Sequence, residues 1–253
     1  CLGKCFYKKD FKKLGISVYE LKSSRTLFAF NEIKEIMFIK LLLKPENIIF
    51  VSNINYANVL TILYIKKTLK LKTILIERTP LTELNIYYNF FNFIKKNIIK
   101  ILIKYFYKYA DYVIANSKKT AIDLNNLAKC SSTFIYPPTL NKLKNNTKFF
   151  KKKIIKIIST GRLSEEKNFF LLIDTFKMLD LDKFFLTIVG NGYLKGKLYL
   201  YIKKNGLSKN IKIISYNEKS YNKILAAKDL FINASDFEGF PNTVVEAINN
   251  NLP

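Results

Sequence analysis

The chain contains no histidine. Ser-His-Asp and Cys-His nucleophile systems and His-ligated metals are therefore excluded from it, and any catalysis must use other groups. Cysteine is scarce as well: Cys1, Cys5 and Cys130 fall at no metal-ligand spacing. A reducing cytoplasm is the expected setting. Only Arg25, Arg78 and Arg162 among the 43 basic residues are arginine. No run of about 18 uncharged apolar residues occurs, so no transmembrane helix is expected. The chain starts at Cys1 rather than methionine, and Asn251-Leu252-Pro253 follows a helical pattern with no closing element. A fragment lacking both ends is the expectation.

What is present suits a globular protein. The 253 residues, 49% of them hydrophobic, can build one large or two ordinary domains. A net charge of +24 raises nucleic acid and anionic membrane as partners. Lys, Asn, Ile, Phe and Tyr are all abundant, however, as an AT-rich genome would dictate, so charge is a weak functional signal and each arginine stands out.

Apolar runs rich in Ile, Val and Phe alternate with longer amphipathic stretches. They lie at 47–52, 72–77, 112–116 and 133–136, then at 154–159, 184–189, 211–215 and 230–233. Short strands between helices predict βαβ units, parallel sheets and an α/β fold. Residues 137–153 carry paired prolines, polar residues and a lysine run, which reads as a linker. The expected division is a domain at 1–138, a linker at 139–153 and a second domain at 154–253.

Ligands of open α/β sheets bind beyond the carboxyl ends of the strands. In the second half those ends lead into S-T-G-R-L-S-E-E-K-N (159–168), V-G-N-G (189–192), Ser215-Tyr216-Asn217 and D-F-E-G-F-P-N-T-V-V-E (236–246). Gly, Arg, Lys, Tyr and Glu thus gather on one rim, and the combination predicts a nucleotide-type crevice although each turn alone reads as a polar loop. Gly190-Asn191-Gly192 is neither a dinucleotide fingerprint, whose third glycine would fall at Lys195, nor a P-loop, since Leu198 stands where the magnesium hydroxyl belongs. Asp180-Leu181-Asp182 resembles a metal-binding acidic pair but sits before a strand, on the opposite rim, and reads as a surface turn. Asn145-Asn146-Thr147 and Asn233-Ala234-Ser235 match a glycosylation sequon, which a cytoplasmic protein would not use. Residues 85–109 interleave lysines with aromatics on a helix or helix pair. Such a face suits anionic lipid or single-stranded nucleic acid, against the plainer reading of a core helix. Membrane ranks ahead of nucleic acid, since no RNA- or DNA-binding signature is present.

Three blocks in order, G-R-L-S-E-E-K-N (161–168), I-V-G-N-G (188–192) and E-G-F-P-N-T-V-V-E-A (238–247), resemble the C-terminal domain of the retaining glycosyltransferases of family 4. Y-A-D-Y-V-I-A-N-S (109–117) resembles the last long strand of that family's N-domain. The resemblance implies a GT-B fold, two Rossmann-like domains with parallel sheets facing across a cleft. It implies a nucleotide-sugar donor, expected to be a UDP-sugar, and a glycan or lipid-linked acceptor, with the enzyme cytoplasmic or peripheral on the inner face of the membrane. It also implies roles: Arg162 and Lys167 on the diphosphate, Glu238 on hydroxyls of the donor sugar and Glu246 on the ribose. Gly161, Gly190, Asn191, Gly192, Tyr216, Gly239, Phe240, Pro241 and Asn242 complete the donor side, Pro241 suiting a first helical turn. No cofactor or metal is expected. The sequence departs from the family at Ser215, usually glycine, at Pro137-Pro138, usually Asn-Pro, and in lacking the N-domain histidine, for which Arg78 is the acceptor-side candidate. A sugar-nucleotide epimerase of GT-B type and a non-catalytic basic module that binds membrane or nucleic acid are the rival readings.

Overall fold

A computed structural model describes residue 5 and residues 7–23, 29, 31–36, 48–87, 89–140 and 154–253. The chain divides into two compact units, Cys1–Tyr136 and Pro137–Pro253. Most of the expected linker, and the sequon at Asn145, lie outside the described residues.

In the first unit a short helix, α1 (Lys8–Lys13), precedes β1 (Ile49–Asn53), α2 (residues 55–69), β2 (Lys72–Glu77), α3 (Phe90–Phe106), β3 (Tyr112–Ala115), α4 (Lys118–Ala128) and β4 (Ser132–Phe134). The strands pair in that order, all parallel. Helix starts follow local chemistry: the Asn89 side chain accepts from the Asn92 amide to cap α3, and Ser117 accepts from the Thr120 amide to cap α4. The core joins Val59 and Ile62 of α2, Leu75 of β2, Ile99 and Ile103 of α3, Val113 of β3 and Leu124 of α4. Within α2, Thr61–Lys66 is π-helical.

From Phe90 the basic-aromatic stretch forms one helix, α3, continued by a 3-10 turn at Tyr107–Tyr109. It has two apolar stripes. Ile99, Ile103 and Tyr107 recur at four-residue intervals and are buried. Phe91, Ile94, Ile98, Ile101 and Tyr105 follow the same periodicity on the outside and are exposed, Phe91 to 82%. No helix among the described residues is long and apolar enough to cross a membrane.

The second unit runs β5 (Ile155–Thr160), α5 (Phe169–Phe176), β6 (Phe184–Val189), α6 (Lys195–Lys204), β7 (Ile211–Ile214), α7 (Glu218–Ala226), β8 (Leu230–Phe231) and α8 (Asn242–Asn249). Its parallel sheet has the order β7-β6-β5-β8. On one face Ile157, Leu186 and Ile188 pack against Phe169, Ile173, Leu198 and Ile202 of α5 and α6. On the other Ile158 and Val189 meet Tyr221 and Leu225 of α7 and Ala247 of α8. A sheet covered on both faces accounts for strands read as nearly continuous apolar runs. The strand order reverses beside β5, which passes the chain first to β6 and β7 and later receives β8 on its other edge. Helices from the two sides diverge there and leave a crevice at the strand's carboxyl end.

Candidate functional site

A cavity of about 350 Å³ opens at that reversal. Its walls are Thr160, Gly161 and Arg162 after β5, Val189, Gly190 and Asn191 after β6, Tyr216 after β7, Tyr221 of α7, and Thr243 and Glu246 of α8. Of the residues singled out from sequence, the fold therefore brings Gly161, Arg162, Gly190, Asn191, Tyr216 and Glu246 around one space.

The glycines are required by loop packing. A Cβ on Gly190 would stand 1.9 Å from the Gly161 carbonyl oxygen, and one on Gly192 would stand 2.3 Å from that of Leu163. Backbone bonds stitch the same loops together: the Gly161 amide donates to Val189 O at 3.0 Å, and the Leu163 amide to Asn191 O at 2.9 Å. The Gly190 amide is itself engaged with Ile214 O. Gly190-Asn191-Gly192 thus lets two loops lie in contact and forms a wall of the cavity, while Gly192 faces Leu163 rather than the cavity.

Glu246 is half-buried and accepts a hydrogen bond from the Tyr221 hydroxyl. Burial raises its carboxyl above the ordinary value of 4.5, partly offset by Tyr221. Burial chiefly, with the Glu246 charge adding to it, raises Tyr221 far above an ordinary phenol, so its hydroxyl remains a donor. Thr160 Oγ1 lies 3.3 Å from the same hydroxyl. Thr160, Tyr221 and Thr243 were not foreseen from sequence. Tyr221 carries the pattern of a core residue on an amphipathic helix, and only tertiary packing places its hydroxyl here.

Glu238 is held elsewhere, by Lys167 in an ion pair. The Lys167 stem crosses Gly161, whose missing Cβ would meet it at 3.3 Å, and the Ser235 hydroxyl lies 2.9 Å from Glu238 Oε1. Asn168 Nδ2 donates to Asp236 at 2.8 Å, and the Asp236 amide donates to Glu166 O. The loops after β5 and β8 thereby form one connected rim. Arg162 projects with its side chain 74% exposed, its nearest carboxylate Glu166 at 3.7 Å. Arg162 and Lys167 thus stand on one loop but in different surroundings, Arg162 exposed at the cavity and only loosely paired with Glu166, Lys167 half-buried and paired with Glu238.

Pro241 occupies the position before α8 rather than its first turn, with φ −82° and ψ 84°. Its carbonyl accepts from the amides of Val244 and Val245, and the Asn242 amide donates to Phe240 O. The chain between Glu238 and Glu246 is therefore helical only from Asn242, not a continuous helical rise. Gly239, Phe240, Pro241 and Asn242 shape this turn without lining the cavity, and Asn242 Oδ1 accepts from Thr139 Oγ1 at 2.9 Å.

Asp180 pairs with Lys183 at 2.8 Å and accepts from the Asp182 amide, a closed turn at the amino end of β6. Its carboxyl is lowered chiefly by the Lys183 contact. Among the described residues no three of His, Cys, Asp and Glu stand close enough to share an ion. Ser215 accepts from Lys195 Nζ at 2.7 Å. In the first unit, Arg78 follows β2 on the carboxyl rim and is exposed.

Residues 141–253 match the family described as Glycosyl transferases group 1. An uncharacterized glycosyltransferase of Methanocaldococcus jannaschii is 34% identical over 172 residues, covering 62% of this chain and 42% of that protein. A Campylobacter jejuni N-acetylgalactosamine-N,N'-diacetylbacillosaminyl-diphospho-undecaprenol 4-alpha-N-acetylgalactosaminyltransferase is 29% identical over 212 residues, covering 79% of this chain and 54% of that one. The chain thus spans about half the length, or less, of these two curated relatives. Among solved structures, Anabaena HepE in complex with UDP-glucose superposes with a TM-score of 0.69 at 17% identity, over 99% of this chain and 70% of that one. The lipopolysaccharide outer core galactosyltransferase WaaB superposes with 0.64 at 19% identity, over 94% and 64%. Two parallel sheets and these neighbours establish the GT-B fold.

Proposed function

We propose that this chain belongs to a retaining glycosyltransferase that moves a hexosyl or N-acetylhexosaminyl group from a UDP-sugar to a surface glycan or lipid-linked acceptor. The observation that carries this reading is the cavity at the reversal of strand order, walled by Gly161, Arg162, Gly190, Asn191, Tyr216 and Glu246. It offers a cation at its mouth, a carboxylate inside and an aromatic wall, which suits a long donor with a diphosphate in its middle. In this reading Glu246 binds the ribose. Arg162 binds the diphosphate. The Lys167–Glu238 pair sets an ammonium and a carboxylate side by side where the sugar meets its phosphate, one for the leaving oxygen and one for sugar hydroxyls. UDP-glucose in the HepE neighbour and the diphospho-undecaprenol substrate in the name of the C. jejuni relative support the donor and acceptor classes. The exposed stripe of α3, flanked by Lys95, Lys104 and Lys108, supports work at the inner face of the cytoplasmic membrane.

Thermal melting of the full-length protein across a panel of nucleotide-sugars tests the donor. A UDP-sugar is expected to raise the midpoint. Glu246→Gln should weaken that ligand by about 10- to 100-fold, the loss of one hydrogen bond to a charged group, with the ligand-free midpoint unchanged because Gln suits a helix as well as Glu. Stabilisation by none of the panel, or wild-type affinity in the variant, would overturn the assignment.

A further inference from the structure

At the end of β2 a turn of four residues presents a single side chain outward. Glu77 is fully buried, Arg78 is exposed, Thr79 is half-buried and Pro80 is buried. The Glu77 carboxyl curls back on its own turn. It accepts from the Arg78 amide and, at 3.3 Å, from the Thr79 amide, while the Tyr107 hydroxyl donates to its other oxygen at 2.8 Å. Tyr107 in turn accepts from Asn58 Nδ2 of α2 at 3.1 Å. From the loop after β3, the Asn116 amide donates to Glu77 O at 3.0 Å and Asn116 Nδ2 donates to Arg78 O at 2.7 Å. The backbone on both sides of Arg78 is thus held directly by the Glu77 carboxyl and by Asn116, and Tyr107 and Asn58 brace that carboxyl. No carboxylate among the described residues forms an ion pair with its guanidinium.

We infer that Glu77, braced by Tyr107 and Asn58, is the positioning residue that aims Arg78 at the acceptor side of the transfer reaction. This rests on the glycosyltransferase reading above and deepens it. A neutral apolar side chain would fill the same space without placing a carboxyl among buried groups, so packing alone does not account for this residue. Burial raises its carboxyl from 4.5 to about 7, opposed by Tyr107 and the two amides and reinforced by the Glu83 charge. The other titratable neighbour, Cys130, acts on Tyr107. Because the folded state holds this proton more tightly than the unfolded chain, the stability it contributes is complete below 4.5 and is lost as pH rises through about 7. At neutral pH and above, the ionised carboxylate therefore weakens the fold while gripping the turn.

The test uses the full-length protein. In wild type, the Arg78 and Thr79 amide resonances should titrate with a midpoint near 7, and acceptor turnover should fall as pH drops through the same point. Tyr107→Phe removes a bond that favours the carboxylate, so both midpoints should move to higher pH. Glu77→Gln should abolish the titration, leave the protein at least as stable at pH 8, and lower turnover about tenfold with donor affinity unchanged, as expected for one lost hydrogen bond. In an Arg78→Ala background it should then cost nothing further, because both changes act through one group. Full turnover in Glu77→Gln, a loss that tracks reduced stability, or an additive double variant would overturn the inference. A wild-type protein that binds no nucleotide-sugar would defeat the functional reading instead, and the amide titration would still decide whether Glu77 controls the Arg78 turn.

Discussion

Arg162 is one of three arginines in a chain with 43 basic residues, and it stands at the cavity mouth. In the proposed transfer a nucleoside diphosphate is the leaving group, so negative charge grows on phosphate oxygens as the sugar bond breaks. A guanidinium meets two such oxygens at once, whereas an ammonium acts as a point charge. Arg162→Ala is expected to lower turnover by about two to three powers of ten, the scale of losing one such group, and Arg162→Lys to recover only part of it. Glu238 is already paired with Lys167 and Glu166 lies 3.7 Å from Arg162, while Asp180 is paired with Lys183 on the opposite rim. Adding a chelator should therefore leave turnover unchanged. Activity abolished by chelation and restored by manganese or magnesium would assign the charge to an ion instead. This residue was legible from its rarity and its place after a strand. The partner of Lys167 was not, because Glu238 lies 71 positions away and no local pattern links them.

Among elements, the eight described strands all overlap apolar runs visible in the sequence; the buried parallel strands β5 and β6 leave little room for polar residues, whereas β1 and β4 are largely exposed. Their edges shift by a residue or two: β4 starts at Ser132 and β8 is only Leu230–Phe231. The π-helical stretch of α2 and the two-sided character of α3 were not legible, for both depend on what packs against the helix. The contact between the β5 and β6 loops yields a sharp expectation. Gly190→Ala drives a Cβ against backbone that cannot move aside as a side chain would, and should lower the unfolding free energy by about 1–3 kcal/mol; an unchanged denaturation midpoint would refute that packing. The outer stripe of α3 yields another. The protein should pellet with vesicles containing anionic lipid and be released as salt rises, whereas equal recovery on neutral vesicles would point to simple apolar adsorption.

At the scale of the whole molecule, the charge of +24 said less than the order of the strands. A basic surface is compatible with many partners, but one reversal of strand order marks where a ligand can enter. The floor of that entrance is made by ladder hydrogen bonds between backbones, six matched positions from Ile155 to Thr160 along β5 and β6. Tyr216 and Asn191 project from loops and take no part in that ladder. Under the proposed function, changes at these two positions are expected to alter donor selectivity while the scaffold still assembles. Separating the ladder from the rim in this way means that a substitution in the loops leaves every matched strand position intact.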